Sequence, residues 1–86
     1  MLIVELAFGP EPERLAARPA HRALLTRLHK EGRLLAAGPF ADGGGALLIF
    51  PVDRAELDRI MAEDPYYRTP GVRVVGVREW TPLVAP

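Results

Sequence analysis

The stretch RLLAAGPFADGGGALLIFPV, Arg33 to Val52, reads as two strands joined by a glycine-rich hairpin. RLLAAGPF (33–40) and ALLIFPV (46–52) carry the apolar residues of strands, and the turn signal Gly38-Pro39 closes the first run. Between them ADGGG (41–45) supplies glycine wherever φ must be positive. What flanks this hairpin decides the fold.

Before it, Pro19 to Glu31 predicts a helix. Pro19 suits a first turn, because its missing N–H is one the turn leaves unpaired anyway. Gly32 is the residue expected just past the C-terminus. His21, Leu24, Leu25 and Leu28 recur at i, i+3, i+4 and i+7 and so share one side of that helix. Upstream, residues 10–18 read as a connection with room for one helical turn, and LIVELAF (2–8) as a strand ending at Gly9-Pro10. After the hairpin, Asp53-Arg54-Ala55-Glu56 has the spacing of a capping box, with Asp53 as N-cap and Glu56 at N3. Leu57, Ile60 and Met61 continue a second helix, which must end by Asp64 because Pro65 disfavours helical geometry before it. GVRVVGVREW (71–80) is a fourth strand. With no repeat, low-complexity tract or internal boundary, residues 1–86 are expected to form one domain.

The sum is β-α-β-β-α-β, an α+β ferredoxin-like plait. Right-handed crossovers place both helices on one face of a four-stranded antiparallel sheet. The other face should then alternate polar residues into water, and it does not. Ile3 and Ala7 oppose Leu2, Val4, Leu6 and Phe8; Leu47 and Ile49 oppose Ala46, Leu48 and Phe50; Val75 and Val77 oppose Val72, Val74 and Trp80. An open apolar sheet is an aggregation liability, so a homodimer packed sheet to sheet is expected. The tail TPLVAP or a ligand would be the other cover.

Composition narrows the partners. Eleven basic and eleven acidic side chains balance, which argues against nucleic acid or an anionic membrane. Cysteine is absent, excluding disulfides, thiol nucleophiles and thiolate metal sites. MLIVELAF (1–8) is too short and too acidic for a signal sequence, and no run approaches the ~20 apolar residues of a membrane span. A cytoplasmic protein is expected.

The topology gathers chemistry at one end of the sheet. The first helix starts where the first strand finishes, the second helix returns there, and the hairpin lies there too. His21, Asp64, Tyr66 and Gly38-Pro39-Phe40 therefore converge, as an imidazole and a carboxylate beside an aromatic ring and backbone amides. Arg18, Arg22 and Arg68 place positive charge at the rim, which favours an anionic substrate or an enolate-like intermediate. The plainer alternatives are a packed core histidine, a helix-stopping Asp-Pro, space-filling tyrosines and solvated arginines. His29 sits about 80° round the helix from His21, near its C-terminus, and reads as structural. Two histidines off i, i+4 spacing, with Asp64 as third ligand, do not make a metal site. No metal and no cofactor are expected.

RPAH opening a helix, EGRLLAAGP after it and DPYY after the second helix together resemble the YciI-like (YCII-related) family over nearly the whole chain. The resemblance implies the fold of the dimeric α/β barrels, whose ferredoxin-like subunits pair through their sheets. It also implies a His–Asp active-site pair, which corresponds to His21 and Asp64. One branch of the family is linked to chloride removal from a hydroxylated chloroaromatic, and related barrels include muconolactone isomerases and small monooxygenases. This chain has no serine, so a role for a loop serine does not carry over.

The expected function is a cofactor-independent enzyme of the lyase, isomerase or dehydrochlorinase type. His21 is its acid–base, Asp64 orients the ring, and Arg18, Gly38, Pro39, Phe40 and Tyr66 bind substrate. At a helix start, the helix would disfavour the His21 cation while Asp64 favours it. The alternatives are a non-catalytic dimeric module that binds a small ligand in the same pocket, or a buried pair that only ties the helices together.

Overall fold

In the computed structural model, which describes residues 1–86, the chain runs β1 (Leu2–Phe8), α1 (Glu13–Lys30), β2 (Ala36–Pro39), β3 (Gly45–Phe50), α2 (Arg54–Glu63), a 3-10 turn (Pro65–Arg68) and β4 (Val72–Glu79). The sheet order is β2-β3-β1-β4 with every neighbouring pair antiparallel, which is the ferredoxin-like plait. No helix is long and apolar enough to cross a membrane.

The hairpin forms where expected, but α1 does not begin at Pro19. It begins at Glu13, with Pro12 at the N-cap and Pro19 inside the helix. The Pro12 carbonyl accepts from the N–H groups of Leu15 and Ala16, so the first turn is nucleated well before Pro19. Pro19 then withholds one donor, from the carbonyl of Leu15 four residues earlier. Leu15 lies on the exposed side of α1, at 51% exposure, and the helix continues through the lost bond. At the other end Gly32 takes φ 76°, and the Arg33 N–H reaches back to the Leu28 carbonyl at 2.9 Å. This is a Schellman stop, which needs the left-handed residue that glycine provides. His29 donates Nδ1–H to the Leu34 carbonyl at 2.9 Å, the structural role expected of it. Because Arg33 is held in that stop, the strand expected from residue 33 shortens to Ala36–Pro39.

Half of the capping box forms. The Asp53 carboxylate accepts the Glu56 N–H at 2.8 Å, but the Glu56 side chain turns to Arg59 and Arg33 instead of reaching back. Those bonds, from Arg59 first and then Arg33, hold the Glu56 carboxyl below its ordinary range.

The core lies between the helices and the inner sheet face. Leu2, Val4 and Leu6 of β1 and Ala46, Leu48 and Phe50 of β3 meet Leu28 of α1 and Leu57 and Ile60 of α2. The sequence places Val77 opposite Val72 and Val74; the structure puts all three inside. Val4 pairs with Val77 and Leu6 with Val74, so one extra residue, Val75, is accommodated in a bulge and the alternation resets. Val75 is left 45% exposed, and with Trp80, Ile3 and Leu47 it lines a shallow outer groove. Glu5 and Arg78 share that groove, so the outer face is apolar but not uniformly so. Leu83 and Val84 of the tail are 100% and 91% exposed and do not cover it.

Gly45 sits where β1 and β3 close on each other: a Cβ there would run into the Leu6 carbonyl oxygen. The neighbour is backbone and cannot turn aside. Gly45→Ala should therefore cost about 1–3 kcal/mol of overpacking strain, read as a lower urea midpoint at unchanged m-value.

Candidate functional site

The site is built from the stop of α2. Pro65 holds Asp64 extended, at φ −105° and ψ 106°, and so turns its carboxylate back into the domain. One oxygen, Oδ1, accepts the Tyr66 N–H at 3.0 Å and caps the 3-10 turn; the other, Oδ2, accepts from His21 Nδ1 at 2.6 Å. Both residues are buried, His21 to 6% and Asp64 to 4% exposure. Burial pushes the Asp64 carboxyl up, but the bonds from His21 and the Tyr66 N–H together outweigh it and hold it below its usual range.

The imidazole is fixed on every side. Its ring stacks on Tyr66 with centroids 3.9 Å apart and planes 10° from parallel, and Tyr67 meets it edge-on at 5.6 Å. With Nδ1 committed to Asp64, the other ring nitrogen, Nε2, is the one left to take up or release a proton. Nε2 has no partner within the chain and is not among the sealed polar atoms, so it is presented to the cavity that His21 lines.

That cavity, of about 830 Å³, lies between α1 and the β2–β3 hairpin. The volume falls within the range of small-molecule sites. Of the residues expected at the site, Arg18, His21, Gly38, Pro39, Phe40 and Tyr66 all line it. Asp64 stands behind His21 and off the wall. Arg22 lines the cavity as well, but Arg68 does not: its guanidinium donates to the carbonyls of Met61 and Ala62 and caps α2. No group of three or more metal-ligating side chains forms.

Two expectations about His21 change. It lies in the middle of α1, so the helix start does not act on its charge. The carboxylate is the dominant charge beside it. Sequence reasoning also missed Arg14, which lines the cavity with its guanidinium 4.3 Å from the Phe8 ring centroid. The spacing Arg14, Arg18, His21, Leu25 was there to be found, but residues 10–18 read as a connection because of their prolines. Tyr67, one of the tyrosines that could fill space with a wet hydroxyl, fills space but is not wet. Its hydroxyl is buried without a partner, and burial, with the Asp64 charge, pushes the phenol well above its ordinary value.

No curated protein matches the chain. A family model described as YCII-related domain matches residues 1–81, nearly the whole length over which the plait and the His–Asp pair have just been described. The chain belongs to the YCII-related family.

Proposed function

We propose that this protein is a small-molecule enzyme in which His21 moves a proton and Asp64 holds the ring that moves it. The observation that carries this reading is the 2.6 Å His21–Asp64 bond, buried behind a cavity of about 830 Å³. In the reaction, Nε2 takes a proton from a carbon beside an electron-withdrawing group of the substrate. Asp64, bonded to Nδ1–H, stabilises the imidazolium that results. The proton then returns at another carbon, giving an isomer, or the carbanion expels a leaving group, giving a lyase or dehydrohalogenase outcome. Neither course needs a cofactor. Stacking on Tyr66 keeps the ring in place through both steps, so no reorientation is needed at the moment of transfer.

Solvent exchange tests the reading whatever the product turns out to be. Small lactones, hydroxyaromatics and keto acids are incubated with the protein in D2O, and deuterium entry at carbon is followed by NMR. The expected result is exchange by the wild type that His21→Asn lacks. A compound that binds but never exchanges would favour the non-catalytic module.

The same proposal includes a homodimer through the outer sheet face. Ile3, Leu47, Val75 and Trp80 support it, as an apolar patch that the chain's own tail leaves open. Sedimentation equilibrium should give twice the 9.4 kDa chain mass, and Leu47→Arg should return the mass of one chain. A wild-type monomer at tens of micromolar would remove the dimer and leave the site proposal intact.

A further inference from the structure

Helix α1 sets a row of guanidiniums along the cavity. Arg14, Arg18 and Arg22 follow at i, i+4 and i+8, and all three are on its wall. None has a carboxylate partner: the arginines in ion pairs are Arg33, Arg54 and Arg59. No aspartate or glutamate lines the cavity. A chain whose formal charge is zero thus concentrates unopposed positive charge against apolar walls.

Arg14 is the most constrained of the three. Its guanidinium lies over Phe8, and its Nε is buried with no acceptor in the chain. That Nε is sealed from the cavity, so the packing over Phe8 fixes the side chain and leaves the terminal guanidinium nitrogens to meet an anion.

We infer that the cavity takes a small organic carboxylate, its anion held by Arg14 and Arg18 and its apolar body directed toward His21. This deepens the reading above, and rests on it for the cavity being a ligand site. A planar guanidinium matches a carboxylate in geometry as well as charge. Phosphate is disfavoured because three of the hairpin's amides are already used: Phe40 N–H goes to the Gly45 carbonyl, Gly43 N–H to the Phe40 carbonyl, and Gly44 N–H to Asp42. Between Phe40 and Gly44 that leaves the N–H groups of Ala41 and Asp42, too few to wrap a phosphate, so the cavity's main donors to an anion are the side-chain guanidiniums. Along the helix, Arg18 and Arg14 lie roughly 4.5 Å and roughly 10 Å from His21 in axial rise. An acid whose reactive carbon is a few bonds from its carboxylate spans that distance, with Phe8, Leu25, Phe40 and Leu48 around its body.

The test uses benzoate, phenylacetate and 3-phenylpropionate, each beside its neutral amide, with phenyl phosphate as the competing anion. Binding is read by chemical-shift titration of the isotope-labelled full chain. At least one carboxylate should bind about tenfold or more tightly over its amide, as expected for charge-assisted bonds. Arg14→Met and Arg18→Met should each remove most of that preference, Arg54→Met none of it, and His21→Asn should still bind. Should Arg14→Met fail to fold, Arg18→Met and the wild-type carboxylate-to-amide ratio decide. Failure of all three carboxylates to bind, equal binding of acid and amide, tighter binding of phenyl phosphate, or indifference to both arginine variants overturns the inference. Any of these with His21-dependent deuterium exchange intact overturns the carboxylate alone and leaves the acid–base reading standing.

Discussion

Replacing Asp64 by alanine is expected to cost about 3–5 kcal/mol of folding stability, from two buried donors left without an acceptor at about 1–3 kcal/mol each. Two partners lose their acceptor at once. His21 keeps a buried Nδ1–H with nothing to receive it, and the Tyr66 N–H loses the cap of the 3-10 turn. Urea unfolding at neutral pH measures the loss. The same variant should change the acid limb of the stability curve. The Asp64 carboxyl is held below its ordinary value in the folded chain, so the unfolded chain binds more protons in that range. Its contribution is therefore complete above the unfolded carboxyl pKa of about 3.9 and is lost as pH falls through the lower folded value. Wild type should lose stability more steeply than Asp64→Ala across that window. Parallel acid limbs would mean that the carboxylate is not bonded as described.

The second large effect is on turnover. For any substrate that the exchange screen identifies, His21→Asn should lower kcat/KM by about 10²–10⁴-fold, the usual worth of a positioned acid–base group. Asparagine retains an N–H able to donate to Asp64, so the fold should survive and the loss is chemical. Thermal unfolding of the same sample checks that. A variant that folds, binds and still turns over at the wild-type rate would reduce the pair to a tie between the helices. Asp64→Asn then separates orientation from charge: the ring keeps an acceptor, but an imidazolium loses its counter-charge.

The plait could be read from the chain because its signals are local. Gly32 stops a helix, ADGGG turns a hairpin and Asp53 caps a helix through chemistry confined to a few neighbouring residues. That His21 and Asp64 share one end of the sheet was also legible, since α1 leaves the end where β1 finishes and α2 returns to it, although His21 lies further into α1 than expected. What could not be read depended on the surroundings. The proline inside α1 falls on an exposed stretch of the helix, and exposure is a tertiary property. Treating Pro19 as the helix start hid Arg14 and placed His21 beside a helix terminus from which it is well removed. Glu56 had the right position for a capping box, but Arg33 and Arg59 offered a stronger attraction. The 3-10 turn has too few residues to show a period, and only the Asp64 cap reveals it.

The bulge at Val75 means that β4 is counted in two frames. On one side of it Val77 is in step with Val4, and on the other Val74 and Val72 are in step with Leu6 and Phe8. The extra residue is a link with no tooth opposite it. Deleting Val75 would set Gly76 directly after Val74, and the pairs Leu6–Val74, Glu5–Gly76 and Val4–Val77 would run on as one unbroken ladder with Val72, Val74 and Val77 still inside. The exposed Val75 is thus a point where this edge strand can lose a residue without turning over its core side chains.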